Sequence, residues 1–304
     1  MRRGDFAAAW EVSDAILRQR VRDGVRCHGW PRHLQFLWNG CPLDGLRVAV
    51  HCYHGLGDTL QFARLLPMLR RSVRHLSVVV QPQLLGWLRG IPGVDRVEAL
   101  SEAGTDIECD AHVELMELPH ILRLSLADIP PPLQPRMRSP TRARGIAGAL
   151  RVGIAWRSGD WDASRSLPDA ALTPLAAVPG VRWASLQYPA CTPPFAAEAA
   201  GCRDIALLAR RMRDLDLVVS VDTMTAHLAG TLGLPTLTLL PQPCDWRWME
   251  RREDTPWYPT MRLLRQSRAG DWTDVVERVL AEVRIRADRA RGAESGFVEG
   301  RVSM

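Results

Sequence analysis

The sequence predicts an α/β protein made of two similar halves, each built on a parallel sheet. Two observations carry this. Short apolar runs alternate with helix-patterned stretches from Arg47 to Leu124 and again from Leu150 to Arg286, and such alternation implies parallel strands joined by helical crossovers. Between the two series lies a stretch that is proline-rich and then basic, Ile129-Pro-Pro-Pro-Leu-Gln-Pro135 through Thr141-Arg-Ala-Arg-Gly145, which reads as an interdomain linker. At 304 residues the chain can bury a large core and has the length of one or two domains.

Taken in order, Asp5 to Arg26 reads as one amphipathic helix with Phe6, Ala9, Trp10, Ile16 and Leu17 on its apolar side. Gly4-Asp-Phe-Ala-Ala-Ala-Trp-Glu11 also looks like the last helix of a tetratricopeptide array, although one such helix cannot bury its face without stacked neighbours. The first half then offers strands at Arg47–Cys52, Leu76–Gln81, Val94–Leu100 and Ala111–Leu115, with helices at Thr59–Arg71, Pro82–Arg89 and Leu118–Leu124. The second half offers strands near Leu150–Trp156, Val181–Gln187, Leu215–Val221, Thr236–Leu240 and Met261–Arg265. Its helices fall at Ile205–Met212, Thr223–Leu232 and Trp272–Arg286. The expected division is a helical segment 1–40, a first domain 41–134, a linker 135–149, a second domain 150–288 and a polar, disordered tail 289–304.

Two strand-to-helix junctions carry the chemistry. In Ser220-Val-Asp-Thr-Met-Thr-Ala-His-Leu-Ala-Gly230 a buried strand feeds a helix N-terminus, where unpaired backbone N–H groups and the positive end of the helix dipole favour an anion. Thr223 and Thr225 add hydroxyls, and His227 lies one turn above Thr223 on the same face. The same residues read equally as an N-capped core helix with a satisfied histidine. The second junction, His54-Gly-Leu-Gly-Asp58, lacks the third glycine of a dinucleotide fingerprint and the lysine of a P-loop. It sets the Asp58 carboxylate at the mouth of a strand-to-helix turn, either as part of a ligand site or as an ordinary helix cap.

Composition narrows the field. All 39 basic residues are arginine, so a Schiff-base or P-loop lysine is excluded and phosphate falls to the planar arginine fork. The net charge of +5 is spread in short clusters such as Arg70-Arg71 and Arg251-Arg252, unlike a nucleic-acid footprint. Seven cysteines without a C-x-x-C pair point to reduced thiols and a cytoplasmic setting. No stretch has the length and apolarity of a signal core or a spanning helix, so any membrane contact is expected to be peripheral.

Taken together, the two junctions resemble glycosyltransferase family 9, whose best-known members are the bacterial ADP-heptose:lipopolysaccharide heptosyltransferases. A closer resemblance is to the glycosyltransferase-like domain found after tetratricopeptide repeats in bacterial proteins. It rests on His54-Gly-Leu-Gly-Asp-Thr-Leu-Gln-Phe-Ala-Arg64, Leu118-Pro-His120, Arg165-Ser-Leu-Pro168, Asp245-Trp-Arg-Trp248 and Glu253-Asp-Thr-Pro-Trp-Tyr-Pro259, and runs from about Leu43 to about Val283.

The resemblance implies a GT-B arrangement, two Rossmann-like domains with parallel sheets facing a central cleft, and an inverting, metal-independent transfer of sugar from a nucleoside diphosphate. Asp58 takes the family's catalytic aspartate position. Arg157, Arg165, Gln187, Asp222, Thr223, Met224, Thr225 and His227 fall to the donor, and His54, Gly57, Gln61, His120 and Trp246 to the acceptor or the cleft lining. Where heptosyltransferases carry a lysine and paired threonines, this chain has Trp156-Arg157 and Arg165. No cofactor or metal is implied; Asp160-Trp-Asp162 mimics a D-x-D metal site and reads as a solvated loop. The expected partners are a nucleotide sugar and a glycan, lipid-linked or protein acceptor, with no nucleic acid. Peripheral contact with the inner membrane and a protein partner at the N-terminal helix stay open. So does a catalytically inactive module of the same fold that binds a sugar nucleotide or a partner.

Overall fold

The computed structural model describes residues 1–102, 104–133, 149–159, 162–189 and 191–299, the last seven in backbone only. It divides into two units, Met1–Met137 and Arg138–Met304. Most of the expected linker lies outside the described residues.

The first unit opens with α1 (Phe6–Arg22), capped by the Asp5 side chain accepting from Ala8 N at 3.0 Å. Its inner stripe is Phe6 and Trp10, both buried, and the Trp10 indole donates to Leu124 O at 2.9 Å. Ile16, expected on that stripe, is 48% exposed because it sits roughly a quarter turn to one side of it. Residues 1–40, expected as a segment of their own, therefore group with the first unit. Four parallel strands follow, β1 (Arg47–His51), β2 (His75–Val80), β3 (Arg96–Ala99) and β4 (Ala111–Glu114), in the order β3-β2-β1-β4. The two central strands are buried almost throughout, which is why they read as continuous apolar runs.

The helix expected at Thr59–Arg71 is divided into α2 (Leu56–Phe62), a 3₁₀ turn at Ala63–Leu65 and α3 (Leu66–Leu69). Pro67 has no N–H to donate to the preceding turn, so a continuous α-helix through it would lose a bond and clash. Further along, α4 (Leu85–Leu88) and α5 (Leu118–Ile121) are single turns, shorter than the sequence suggests.

The second unit holds six parallel strands, β5 (Leu150–Ala155), β6 (Val181–Ser185), β7 (Glu198–Ala199), β8 (Leu217–Val221), β9 (Thr236–Leu240) and β10 (Met261–Arg265). Their order is β10-β9-β8-β5-β6-β7. Its helices are α6 (Ile205–Met212), α7 (Met224–Thr231) and α8 (Thr273–Glu299). Val152, Ile154, Val219 and Leu239 of the sheet pack in one core with Val275, Val276, Val279 and Val283 of α8. The α8 backbone continues past the expected boundary at 288, through a run whose alanine, arginine and glutamate all favour helix. The short β7 and a 3₁₀ stretch at Asp169–Ala177 were not legible in the sequence. Among the described residues no helix is long and apolar enough to cross a membrane, and all seven cysteines are free thiols.

Candidate functional site

In the second unit the site is built where β8 ends. β8 lies between β5 and β9 and is buried along its whole length, so its last residues are delivered rigidly to the start of α7. Thr223 is the N-cap of α7 with extended backbone, but its hydroxyl does not cap. It turns back to the Ser220 hydroxyl and Val221 O, both at 3.3 Å, and leaves the first turn of α7 without a cap from its N-cap side chain. Met224 is half-buried, whereas Thr225 and His227 are buried.

Asp222, at the junction itself, is 4% exposed. Burial works against its charge, but His227, Arg247 and the Trp248 indole outweigh burial and hold the carboxyl below the usual carboxylate range. His227 Nε2 stands 3.7 Å from Asp222 Oδ1, and Arg165 Nη1 stands 4.0 Å from Oδ2 while donating to Asp222 O at 3.0 Å. The structure thus brings Arg165, Asp222, Thr223 and His227 together at the end of β8. An ionised acceptor, the Arg165 guanidinium and an uncapped helix N-terminus suit a ligand carrying both anionic and hydroxyl groups.

Three other residues expected at the ligand are engaged within the protein. Gln187 Oε1 accepts from Trp156 N (3.2 Å) and Arg157 N (3.0 Å), and its Nε2 donates to Arg157 O (3.0 Å), so the amide clamps the loop after β5. Arg157 pairs with Asp169, which also accepts from the Trp156 indole at 2.7 Å. Trp246 meets Trp257 edge to face at 6.4 Å. Asp160 lies outside the described residues; Asp162 caps a 3₁₀ turn by accepting from Ser164 N at 3.0 Å.

In the first unit, Asp58 falls inside the first turn of α2, whose start lies earlier than the sequence suggests. Its Oδ2 accepts from Gly55 N at 2.9 Å, so the carboxylate satisfies the N-cap backbone, while the N-cap itself, a glycine, has no side chain to return the bond. Gly57 is buried beside it. The turn is braced by Gln81, which donates to His54 O at 2.7 Å and accepts from the Thr59 hydroxyl at 3.0 Å. His54 Nδ1 lies 3.0 Å from Oε1 of Glu114, a wholly buried carboxylate that also accepts from Tyr53 N at 3.1 Å. Sequence reasoning missed Glu114. The signal was an acidic residue ending the apolar strand Ala111-His-Val-Glu114, at the same sheet edge as His54.

Gln61, expected to line a ligand surface, is corrected to an interior position. It is 0% exposed, on the face of α2 that packs into the unit. His120 is committed to α1: its Nε2 lies 2.8 Å from Asp14 Oδ1, and its ring stacks on Trp10 at 5.6 Å and meets Trp38 edge-on at 5.2 Å.

No family model matches the chain. Protein FlbA of Caulobacter vibrioides is 25% identical over 287 residues, covering 81% of this chain and 48% of that protein, so the chain spans about half the length of the curated relative it matches. Among solved structures, the glycosyl transferase family 9 protein from Veillonella parvula DSM 2008 superposes with a TM-score of 0.54 at 12% identity, covering 75% of this chain and 88% of its own. The ADP-heptose LPS heptosyltransferase II of E. coli superposes with a TM-score of 0.51 at 11% identity, covering 80% and 99%. The chain therefore has the fold of family 9 glycosyltransferases. The expected class, α/β with two units each built on a parallel sheet, is the observed one, and it matches these glycosyltransferase folds.

Proposed function

We propose that this chain is an inverting glycosyltransferase, similar to the heptosyltransferases, that moves a sugar from a nucleoside diphosphate to a hydroxyl of a glycan, lipid-linked or protein acceptor. The observation that carries the reading is the junction at Asp222, where a buried ionised carboxylate, Arg165 and the uncapped N-terminus of α7 converge in a family 9 fold. The diphosphate takes Arg165 and the α7 amides, and Asp222 takes sugar hydroxyls. Asp58 supplies the base. It removes the proton of the acceptor hydroxyl as that oxygen bonds to the anomeric carbon, while the bond to the diphosphate oxygen breaks and its electron pair leaves with the nucleoside diphosphate. One displacement inverts the anomeric centre. Positive charge from arginine and helix dipole stabilises the departing diphosphate, so the reaction proceeds without a divalent ion.

The ADP-sugar in the name of the E. coli relative makes ADP-sugars the first donors to test, beside UDP- and GDP-sugars. The test is release of nucleoside diphosphate and transfer of label to a glycan or lipid-linked acceptor in EDTA, with the anomeric configuration of the product read by NMR. Retention, or activity that vanishes in EDTA and returns with magnesium or manganese, contradicts the mechanism.

One observation favours a second reading. The Asp58 carboxylate already serves as a helix cap, which suits a catalytically inactive module that binds a sugar nucleotide. Binding of a nucleotide sugar with neither hydrolysis nor transfer distinguishes it.

A further inference from the structure

Two tryptophan-rich motifs, Asp245-Trp-Arg-Trp248 and Thr255-Pro-Trp-Tyr-Pro259, have no role in the reaction as described. In the structure they are tied together, the Trp257 indole donating to Arg247 O at 2.9 Å, and both close on His227. Trp248 stacks on the imidazole with ring centroids 5.3 Å apart and planes inclined by 22°. Tyr258, itself fully buried, sets its hydroxyl 3.0 Å from His227 Nδ1.

The seat for Tyr258 is carved in α7. Gly230 lies three residues after His227, and a Cβ there would stand 2.5 Å from Tyr258 Cγ and Cδ1. A glycine inside a buried helix is unfavourable in itself, so its presence where any side chain would displace the Tyr258 ring marks a required contact.

The two nitrogens of His227 are thereby distinguished. Nε2 stands 3.7 Å from the Asp222 carboxylate, which can only accept, and Nδ1 lies 3.0 Å from the Tyr258 hydroxyl; the Nε2–H tautomer is the neutral form in which Nδ1 can take the Tyr258 O–H. The Trp248 indole N–H acts on the same carboxylate and makes no hydrogen bond of ordinary length among the described residues. A buried acceptor and a buried orphan donor therefore stand near one another at the end of β8. A hydroxyl can accept from one and donate to the other at once, which a phosphate oxygen cannot.

We propose that Tyr258 is a positioning residue: through His227 it fixes the Asp222 carboxylate beside the Trp248 indole N–H, and this pair recognises one hydroxyl of the sugar on a nucleoside diphosphate. The sugar half of this proposal rests on the donor reading given above; the Tyr258–His227 half does not.

Tyr258→Phe keeps the ring and removes only the hydroxyl. In ¹⁵N-labelled protein at pH 8, with His227→Gln used to assign the signals, His227 of the parent should show the Nε2–H tautomer. Tyr258→Phe should convert it to a mixture. Binding is read in parallel with ADP against ADP-glucose and UDP against UDP-glucose. The variant should weaken the sugar nucleotide about tenfold, the scale of one lost hydrogen bond, and the bare diphosphate less than about twofold. An unchanged tautomer overturns the positioning role, and equal weakening of diphosphate and sugar nucleotide reduces Tyr258 to scaffold. A parent that binds no nucleotide overturns the donor reading and the sugar half, while the tautomer still decides whether Tyr258 acts through His227. Trp248→Phe, which removes the orphan donor, should show the same selective loss without a tautomer change.

Discussion

Two glycine-to-alanine substitutions should shift stability in opposite directions. Gly230 is buried in α7 with Tyr258 Cγ and Cδ1 only 2.5 Å from the place a Cβ would occupy, about 1 Å inside ordinary contact. Tyr258 is pinned by its bond to His227 and by packing, so it cannot swing aside freely. Overpacking of this kind costs about 1–3 kcal/mol, against which alanine recovers about 0.5–1 kcal/mol of helix propensity. Gly230→Ala should therefore lower stability by up to about 2.5 kcal/mol. Gly86, exposed in α4, has nothing within 4 Å of the place a Cβ would take, so Gly86→Ala should gain about 0.5–1 kcal/mol. Urea unfolding of the three proteins, fitted separately for each transition, measures both. A Gly230→Ala protein that gains stability as Gly86→Ala does would refute the close seating of Tyr258 on α7.

Arg165→Ala should weaken nucleoside diphosphate binding about 10- to 100-fold, the scale of a charge-assisted hydrogen bond, as read by calorimetry; unchanged affinity for every nucleotide the parent binds would remove Arg165 from the donor site. Asp14→Ala should loosen α1 by about 1–3 kcal/mol at pH 7, because it breaks bonds to both Arg123 and His120. Arg123 and then His120 hold the Asp14 carboxyl down at about 2, against the ordinary 3.8. This stabilisation is complete above the unfolded value and lost as pH falls towards 2, so the difference between parent and variant should fade across that window. A difference that stays constant from pH 5 to pH 2 would show that the ionised carboxylate is not what anchors α1.

Parallel strands were legible because each buried strand is a continuous apolar run closed by a turn, and β8 with Asp222 and Thr223 could be placed from that pattern alone. His227 and Arg165 were also legible, one by helix spacing and one by its loop, and the structure brings both to Asp222. What escaped was the work of side chains on distant backbone. Gln187 reads as a strand-end amide facing a ligand, yet its partners are 30 and 31 residues earlier in the chain. Tyr258 lies 31 residues beyond His227, and no periodicity links them. The division of the helix after Asp58 did have a local signal in Pro67, and its apolar spacing outweighed that signal in the sequence reading.

The central claim is that Asp58 works as a base as well as a cap. Asp58→Asn keeps the size and the acceptor oxygen for Gly55 N but removes the proton acceptor, so it separates the two roles. Turnover of the parent and of the folded variant, measured on a nucleotide sugar the parent accepts, is the most direct measurement. A fall of roughly 10²–10⁴-fold with donor affinity retained is expected of a positioned base. Near-normal turnover in the variant would contradict that claim and leave Asp58 as the cap of α2.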